Sequence, residues 1–367
     1  MHKMKYPIYK TSFRGNEQKY INQCFKNNWI SSSGPFIKKF ENKFSKIYSS
    51  KFALSTSNGT TALELALMSL NLKPNDKVIV PNLTFAATIN SIINVNLDPV
   101  LCDVGKDDYN IDIDTLSNKI DKKIKAILIV HLYGKPCKMK KILNFAKKNK
   151  LYIIEDCAEA IGSKINNKLV GTYGDCSTFS FFGNKTLTTG EGGMIIFKNK
   201  NKYNFAKKLR DHGMSFKKKY WHEIVGKNYR MTDLQAAVGL AQLEKFNYII
   251  RKKIEISKLY KSHLKSLKNK IKFVNDNENE LNTFWLFNII IKNRKKNYLI
   301  QHLKKKDIEA RPFFYCLSNM PPYKKYAIKE YKNSKFFENN GVCLPSYIDL
   351  NSKDIKFICN TITKLLN

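Results

Sequence analysis

Three groups of polar residues follow apolar stretches of the sequence, and their types suggest one chemistry. Residues 57–61 (SNGTT) and Glu155-Asp156 each end such a stretch, and Lys185 follows FSFF in a glycine-rich turn. Backbone N–H groups at the start of a helix can bind a phosphate, and a carboxylate can stabilise a nearby positive charge. A lysine can attack a carbonyl carbon. Together the three groups suit a phosphate-bearing carbonyl compound.

Each group also has an ordinary structural explanation when it is taken alone. Ser57 or Asn58 could simply cap a helix, Glu155-Asp156 could end a strand in solvent, and Lys185 could be a surface lysine. Their order is more specific, because ligands of parallel sheets bind beyond the carboxyl ends of the strands. A phosphate cradle, a carboxylate and a lysine in this order are typical of pyridoxal 5′-phosphate sites.

Seven apolar runs of strand length are expected to build the sheet that positions these groups. They are continuous rather than alternating, as in strands covered on both faces, and helix-length segments such as 60–70 and 138–148 separate most of them. This alternation predicts an α/β domain with a largely parallel sheet. The predicted strands cover residues 52–55, 78–80, 100–104, 126–130, 151–154, 177–182 and 194–197.

A long helix is predicted to begin at Thr232. Thr232 and Gln235 have the spacing of a capping box, and apolar residues continue at helical spacing as far as Ile254. We expect this helix to connect a large cofactor-binding domain, residues 1–245, to a smaller C-terminal α+β domain, residues 246–367.

The formal net charge of the 367-residue chain is +35, with 65 Lys and Arg against 30 Asp and Glu. Such a charge could indicate a nucleic-acid or anionic-membrane partner. The lysines, however, are spread in pairs and triplets along the whole chain, and no RNA-binding aromatic motif, zinc finger or basic zipper accompanies them. We therefore interpret the charge as compositional drift and expect neither partner.

The eight cysteines are far apart in the sequence, without a CxxC pair or a Cys/His cluster of zinc spacing. No metal site is therefore expected. The sequence has no run of 18 apolar residues, and its N-terminus lacks the apolar region of a secretory signal. These features predict a reducing, cytoplasmic compartment.

Longer motifs occur in order along nearly the whole chain. They are WISSSGPFIKKFE (29–41), STSNGTTAL (55–63), VIVPNLTFAATIN (78–90), IEDCAEAIG (154–162), FFGNKTLTTGEGGM (181–194), YWHEIVGKNYRMTDLQAAVGLAQLE (220–244) and ARPFFY (310–315). They resemble the DegT/DnrJ/EryC1/StrS family of pyridoxal phosphate-dependent nucleotide-sugar aminotransferases, and most closely its perosamine-synthase branch. The resemblance implies the aspartate aminotransferase fold, fold type I, with a mostly parallel seven-stranded sheet. It also implies a homodimer with shared active sites.

The resemblance assigns roles around the cofactor ring. Lys185 would bond the cofactor covalently, and Asp156 would pair with its pyridine nitrogen. Phe85 would stack on the ring, although an isolated phenylalanine is by default a core residue. Glu159 stands where many members carry Gln or His near the 3′-oxygen of the cofactor, which leaves its role open.

The same motifs imply contacts to the phosphate and to the substrates. Gly59, Thr60 and Ser180 would hold the phosphate, and Asn228 would reach it from the other subunit. Weaker assignments around the nucleotide or glutamate fall on Trp221, His222, Arg230 and Arg311.

The implied reaction moves an amino group from L-glutamate to a nucleotide-diphosphate keto sugar. Glutamate would convert the cofactor to pyridoxamine 5′-phosphate and leave as 2-oxoglutarate. The C4 keto group of a 4-keto-6-deoxyhexose would then take the amine and give a perosamine- or viosamine-type sugar. The alternatives are amination at C3 and a regulator without catalysis that binds the cofactor or nucleic acid. Relatives that dehydrate sugars carry His at the lysine position, and Lys185 argues against that chemistry.

Overall fold

The computed structural model describes residues 4–116, 121–274, 276–292, 295–328 and 330–367. Its strands are β1 (Phe52–Thr56), β2 (Lys77–Pro81), β3 (Asp98–Cys102), β4 (Ile124–Val130), β5 (Tyr152–Asp156), β6 (Lys164–Ile165), β7 (Lys168–Leu169), β8 (Cys176–Ser180), β9 (Gly193–Phe197), β10 (Ile271–Lys272), β11 (Glu280–Leu281), β12 (Phe287–Ile291), β13 (Arg311–Pro312) and β14 (Gly341–Leu344).

Its helices are α1 (Glu17–Lys26), α2 (Pro35–Ile47), α3 (Gly59–Met68), α4 (Ala86–Asn94), α5 (Met139–Asn149), α6 (Lys200–Arg210), α7 (Asp233–Glu244), α8 (Phe246–His263), α9 (Lys296–Lys304), α10 (Lys332–Asn340) and α11 (Ser352–Leu366). None of the helices in the described ranges is long and apolar enough to cross a membrane. All eight cysteines are buried.

Seven strands form one sheet in the order β1-β9-β8-β5-β4-β2-β3. Only β9 runs antiparallel to its neighbours, β1 and β8. The predicted mostly parallel, seven-stranded sheet is therefore confirmed. Nearly all residues of the central strands are buried, on both faces of the sheet. This explains why their sequences are continuous apolar runs rather than alternating ones.

Strand ends differ from the prediction where the chain turns toward the ligand side. The predicted strand 177–182 ends at Ser180, and 151–154 extends to Asp156. The two carboxylates Glu155 and Asp156 therefore belong to β5 instead of following it. The predicted strand 100–104 is shifted two residues earlier, to Asp98–Cys102.

The two helices predicted at 60–70 and 138–148 are confirmed as α3 and α5. The predicted long helix begins as expected, since Thr232 and Gln235 form a capping box at the start of α7. It is not one helix, because the backbone leaves helical geometry at Lys245 (φ −96°, ψ 8°) and α8 starts at Phe246. Apolar side chains on both sides of the break pack in one cluster, so the apolar spacing does not reveal it.

A second, antiparallel sheet has the order β10-β12-β14-β13. Its apolar face packs with residues of α8, α9 and α11 around a separate core. Tyr6, near the N-terminus, forms a parallel bridge with Ile308 and joins that core. The division of the chain at residues 245 and 246 stays a prediction.

Candidate active site

A cavity of about 600 Å³ opens at the carboxyl ends of β1, β5 and β8. The start of α3, Asp156 and Lys185 all line it. The three polar groups singled out in the sequence are thus brought together at one edge of the sheet, as expected for strands that run parallel.

Asp156 lies at the floor of this cavity and is only 4% exposed. Its Oδ1 accepts a hydrogen bond from the Ala158 N–H, and its Oδ2 accepts one from the Thr88 hydroxyl, both at 3.1 Å. Burial raises the pKa of Asp156, although the Ala158 bond and the nearby Lys185 oppose the shift. A positively charged ligand group beside it would favour the ionised carboxylate.

Glu155, the neighbour of Asp156, faces away from the cavity and anchors a loop. It accepts the N–H groups of Gly171, Tyr173 and Gly174 at 2.6–2.7 Å and contacts His131 Nε2 at 3.1 Å. Burial opposes ionisation, but these bonds prevail and lower the pKa of Glu155. The polar pair at the end of β5 therefore divides into one cavity residue and one structural residue.

Lys185 lies in the turn after β8, with its Nζ 3.2 Å from Glu159 Oε1. The other oxygen of Glu159 accepts the N–H of Tyr133 at 2.9 Å. The backbone of Tyr133 is left-handed, with φ +52°, a conformation that is costly outside glycine and concentrates at functional sites. Burial raises the pKa of Glu159, and Lys185 opposes this shift.

Trp285 covers Lys185 from the other side. The centre of its ring lies 3.9 Å from Lys185 Nζ, within cation–π distance. Its indole N–H donates to the carbonyl oxygen of Asn184 at 2.7 Å. No role was assigned to Trp285 or Thr88 from the sequence. Trp285 acts across a long separation in the chain, and Thr88 lies in the motif 78–90, from which only Phe85 was assigned a role.

The start of α3 has the form of an anion cradle. Asn58 caps the helix by accepting the Thr61 N–H at 2.9 Å, which is the structural role considered for it. The N–H groups of Gly59 and Thr60 have no acceptor in the described part of the chain, and both residues line the cavity. A Cβ at Gly59 would lie 2.8 Å from Cβ of Ser180, so a side chain there would close the cradle.

Phe85 and Arg311 also line the cavity. Phe85 is 57% exposed, so it is not the core residue that an isolated phenylalanine usually is. Its ring lies 5.7 Å from that of Phe314. The Arg311 guanidinium is 2.7 Å from Glu309 Oε1 at an exposed position.

Four of the candidate residues lie outside this cavity. Asn228 and Trp221 are exposed, and the backbone of Asn228 bridges to Asp211. His222 Nδ1 is 2.9 Å from the carbonyl oxygen of His212, and Arg230 Nε donates to Ser32 Oγ at 3.0 Å. The roles given to these four residues stay predictions.

Two buried polar atoms of residues that line the cavity could form hydrogen bonds to a ligand. Thr178 Oγ1 and Asn184 Oδ1 are buried without a partner in the described part of the chain, and both residues line the cavity. Such groups cost free energy unless something bonds them. Together with the open cradle and the buried Asp156, they fit a molecule with a phosphate and a polar ring such as pyridoxal 5′-phosphate.

Comparisons with known proteins agree with this geometry. A model described as the DegT/DnrJ/EryC1/StrS aminotransferase family matches residues 12–363. The GDP-perosamine synthase of Escherichia coli O157:H7 is 41% identical over 366 residues, which cover 98% of this chain and 99% of that protein. The GDP-perosamine synthase of Vibrio cholerae is 39% identical over 365 residues, again covering 98% and 99%.

The fold is found among solved structures as well. A sugar aminotransferase of Streptococcus pneumoniae, solved in PLP and PMP forms, superimposes with a TM-score of 0.92. It is 24% identical, and the match covers 99% of this chain and 98% of that one. The fold is therefore that of the fold type I aminotransferases.

Proposed function

Because the chain belongs to the DegT/DnrJ/EryC1/StrS aminotransferase family, we propose that it is a pyridoxal phosphate-dependent sugar aminotransferase. Its reaction moves an amino group to the C4 keto group of a nucleotide-linked 4-keto-6-deoxyhexose. The observation that carries this proposal is the single cavity in which the α3 cradle, Asp156 and Lys185 meet.

Bound pyridoxal phosphate supplies an aldehyde that exchanges amino groups and a ring that accepts electrons. In the proposal, the N–H groups of Gly59 and Thr60 and the Ser180 hydroxyl hold the phosphate. Asp156 keeps a positive charge on the ring nitrogen, and Thr88 and Ala158 fix the carboxylate for this task. Phe85 is exposed inside the cavity, where its ring is free to pack against the cofactor.

Lys185 holds the cofactor and, once released, moves a proton at its Nζ beside the reacting carbon. Glu159 Oε1 orients that Nζ, and the Tyr133 N–H in turn fixes Glu159. Trp285 excludes water from one side of the lysine. The protein thus contributes binding, orientation and one mobile proton.

The position of amination and the sugar come from the relatives. Two proteins that match almost the full length of this chain are GDP-perosamine synthases. Perosamine forms when GDP-linked 4-keto-6-deoxymannose is aminated at C4, so this sugar is the proposed acceptor. L-Glutamate is the proposed donor, and it leaves as 2-oxoglutarate.

A homodimer with shared sites is also proposed. Asn228, which by family resemblance contacts the phosphate, lies outside the cavity of its own chain. An exposed position on one subunit is what a contact to the partner's phosphate requires. The burial of all eight cysteines agrees with the proposed reducing, cytoplasmic location.

The test is incubation with glutamate and a panel of GDP-, UDP- and dTDP-linked 4-keto-6-deoxyhexoses, followed by NMR of the product. The proposal predicts an amine-bearing carbon at position 4, with the GDP sugar converted fastest. An amine at position 3 would support the alternative regiochemistry. No product from any sugar, with tight DNA binding near physiological salt, would support a regulator.

A further inference from the structure

A buried lysine lies next to the site and has no part in the proposed reaction. Lys253, on α8, is only 5% exposed. Its Nζ donates to the carbonyl oxygen of Trp285 at 2.8 Å and to both the carbonyl oxygen and Oγ of Ser346, the latter at 3.3 Å. An ammonium group has three N–H donors for these three oxygens, whereas the neutral amine has two. The surroundings therefore match the charged form.

The bond to Trp285 links Lys253 to the active site. The same tryptophan covers Lys185 Nζ with its ring and donates its indole N–H to Asn184, the residue before Lys185. Trp285 is thus fixed at its side chain by Asn184 and at its carbonyl oxygen by Lys253, with a longer bond of 3.3 Å from the Ser346 hydroxyl to the same oxygen. Loss of either bond would leave the ring less well placed over Lys185.

Lys253 and Lys185 also line one small cavity of about 30 Å³, which has room for about one water molecule. The other titratable side chains that line it are those of Tyr9, Lys10 and Tyr347, and no carboxylate does so among the described residues. No acidic partner in this cavity therefore offsets the charge of Lys253.

We propose that Lys253 is a positioning residue whose ammonium form fixes Trp285 over Lys185, and that loss of its proton loosens this arrangement. The inference rests on the proposed role of Lys185. Burial lowers the pKa of Lys253 to about 7, so the proton is exchanged near neutral pH. The ring is held firmly below this pH and less firmly above it.

Fluorescence of Trp285 tests the proposal without relying on turnover. The chain has three tryptophans, so a Trp29→Phe/Trp221→Phe background leaves Trp285 as the single emitter. In the holoenzyme of this background, the emission should change in one step with a midpoint near pH 7. Lys253→Met should abolish that step, while Lys258→Met, an exposed lysine on the same helix, should keep it. In Lys253→Met, the pH profile of kcat/KM should also lose the change in slope near pH 7 that the wild type shows.

A second variant covers the case in which Lys253→Met does not fold. Ser346→Ala removes one acceptor of the ammonium group, which favours the neutral amine and should move the midpoint to lower pH. A folded Lys253→Met with an unchanged emission step, or a Ser346→Ala with an unchanged midpoint, would overturn the proposal. Loss of the step in Lys253→Met would support it even if no sugar were aminated.

Discussion

Replacement of Asp156 by asparagine should separate the chemistry of the site from the stability of the fold. The carboxylate accepts hydrogen bonds from the Ala158 N–H and the Thr88 hydroxyl. An asparagine can keep both contacts, because its amide oxygen accepts from Ala158 and its NH₂ group donates to the Thr88 Oγ1. The variant should therefore fold.

The cofactor-free variant should even be more stable than the wild type at neutral pH. Burial raises the pKa of Asp156, so the ionised carboxylate opposes folding. The stability that a carboxyl of raised pKa contributes is present below its ordinary pKa of about 3.9 and is lost as the pH rises through the folded value. Urea unfolding should show a higher midpoint for Asp156→Asn near pH 7, and the difference should shrink toward about pH 4.

Turnover should change in the opposite direction. Two unit charges about 4 Å apart in a site of effective dielectric about 20 interact by about 4 kcal/mol. Loss of that interaction corresponds to about a 10³-fold slower amino transfer, measured as single-turnover absorbance change with glutamate. Thr88→Val keeps the carboxylate and removes one hydrogen bond, so its loss should be nearer tenfold. Wild-type rates in Asp156→Asn would show that the charge of Asp156 does not support amino transfer.

Three further experiments test the phosphate cradle, the shared site and the buried lysine. In Gly59→Ala the new Cβ would lie 2.8 Å from Ser180, so cofactor binding, measured by equilibrium dialysis, should weaken about 10- to 100-fold. In the control Gly183→Ala the new Cβ would lie 3.8 Å from its nearest neighbour, so binding should not change. Equal amounts of Lys185→Ala and Asn228→Ala subunits, once exchanged, should regain up to about a quarter of wild-type activity, because hybrid dimers contain one native site; no recovery would contradict a shared site. As the pH rises above about 7, the free energy of unfolding of the wild type should increase relative to that of Lys253→Met by about 1.4 kcal/mol per pH unit. The reason is that Lys253 keeps its proton to higher pH in the unfolded chain than in the folded one. A difference in urea unfolding that stays constant with pH would contradict a lowered pKa of Lys253.

The sequence was most informative where local pattern and chemistry coincide. Continuous apolar runs predicted all seven strands of the large sheet, and the polar residues at their carboxyl ends lead to the cavity. The capping pair Thr232 and Gln235 placed the start of α7 because a cap depends on only four residues. These features depend on near neighbours in the chain.

Contacts between distant segments could not be predicted in this way. Trp285 contacts Lys185 across 100 positions, and none of the motifs identified in the sequence contains it. Thr88 lies in the motif 78–90, but nothing in that local pattern shows that its hydroxyl bonds Asp156, which is 68 positions away. The break at Lys245 is also hidden, because apolar side chains on both sides of it pack in the same core.

Borohydride reduction of the isolated holoenzyme, followed by peptide mass mapping, shows which lysine holds the cofactor. The cofactor mass should be found on Lys185. Incubation with glutamate before reduction should remove this label, because the amino group has then passed to the cofactor. A label on another lysine, or one on Lys185 that glutamate leaves unchanged, would contradict the assignment of Lys185 as the residue that holds the cofactor during amino transfer.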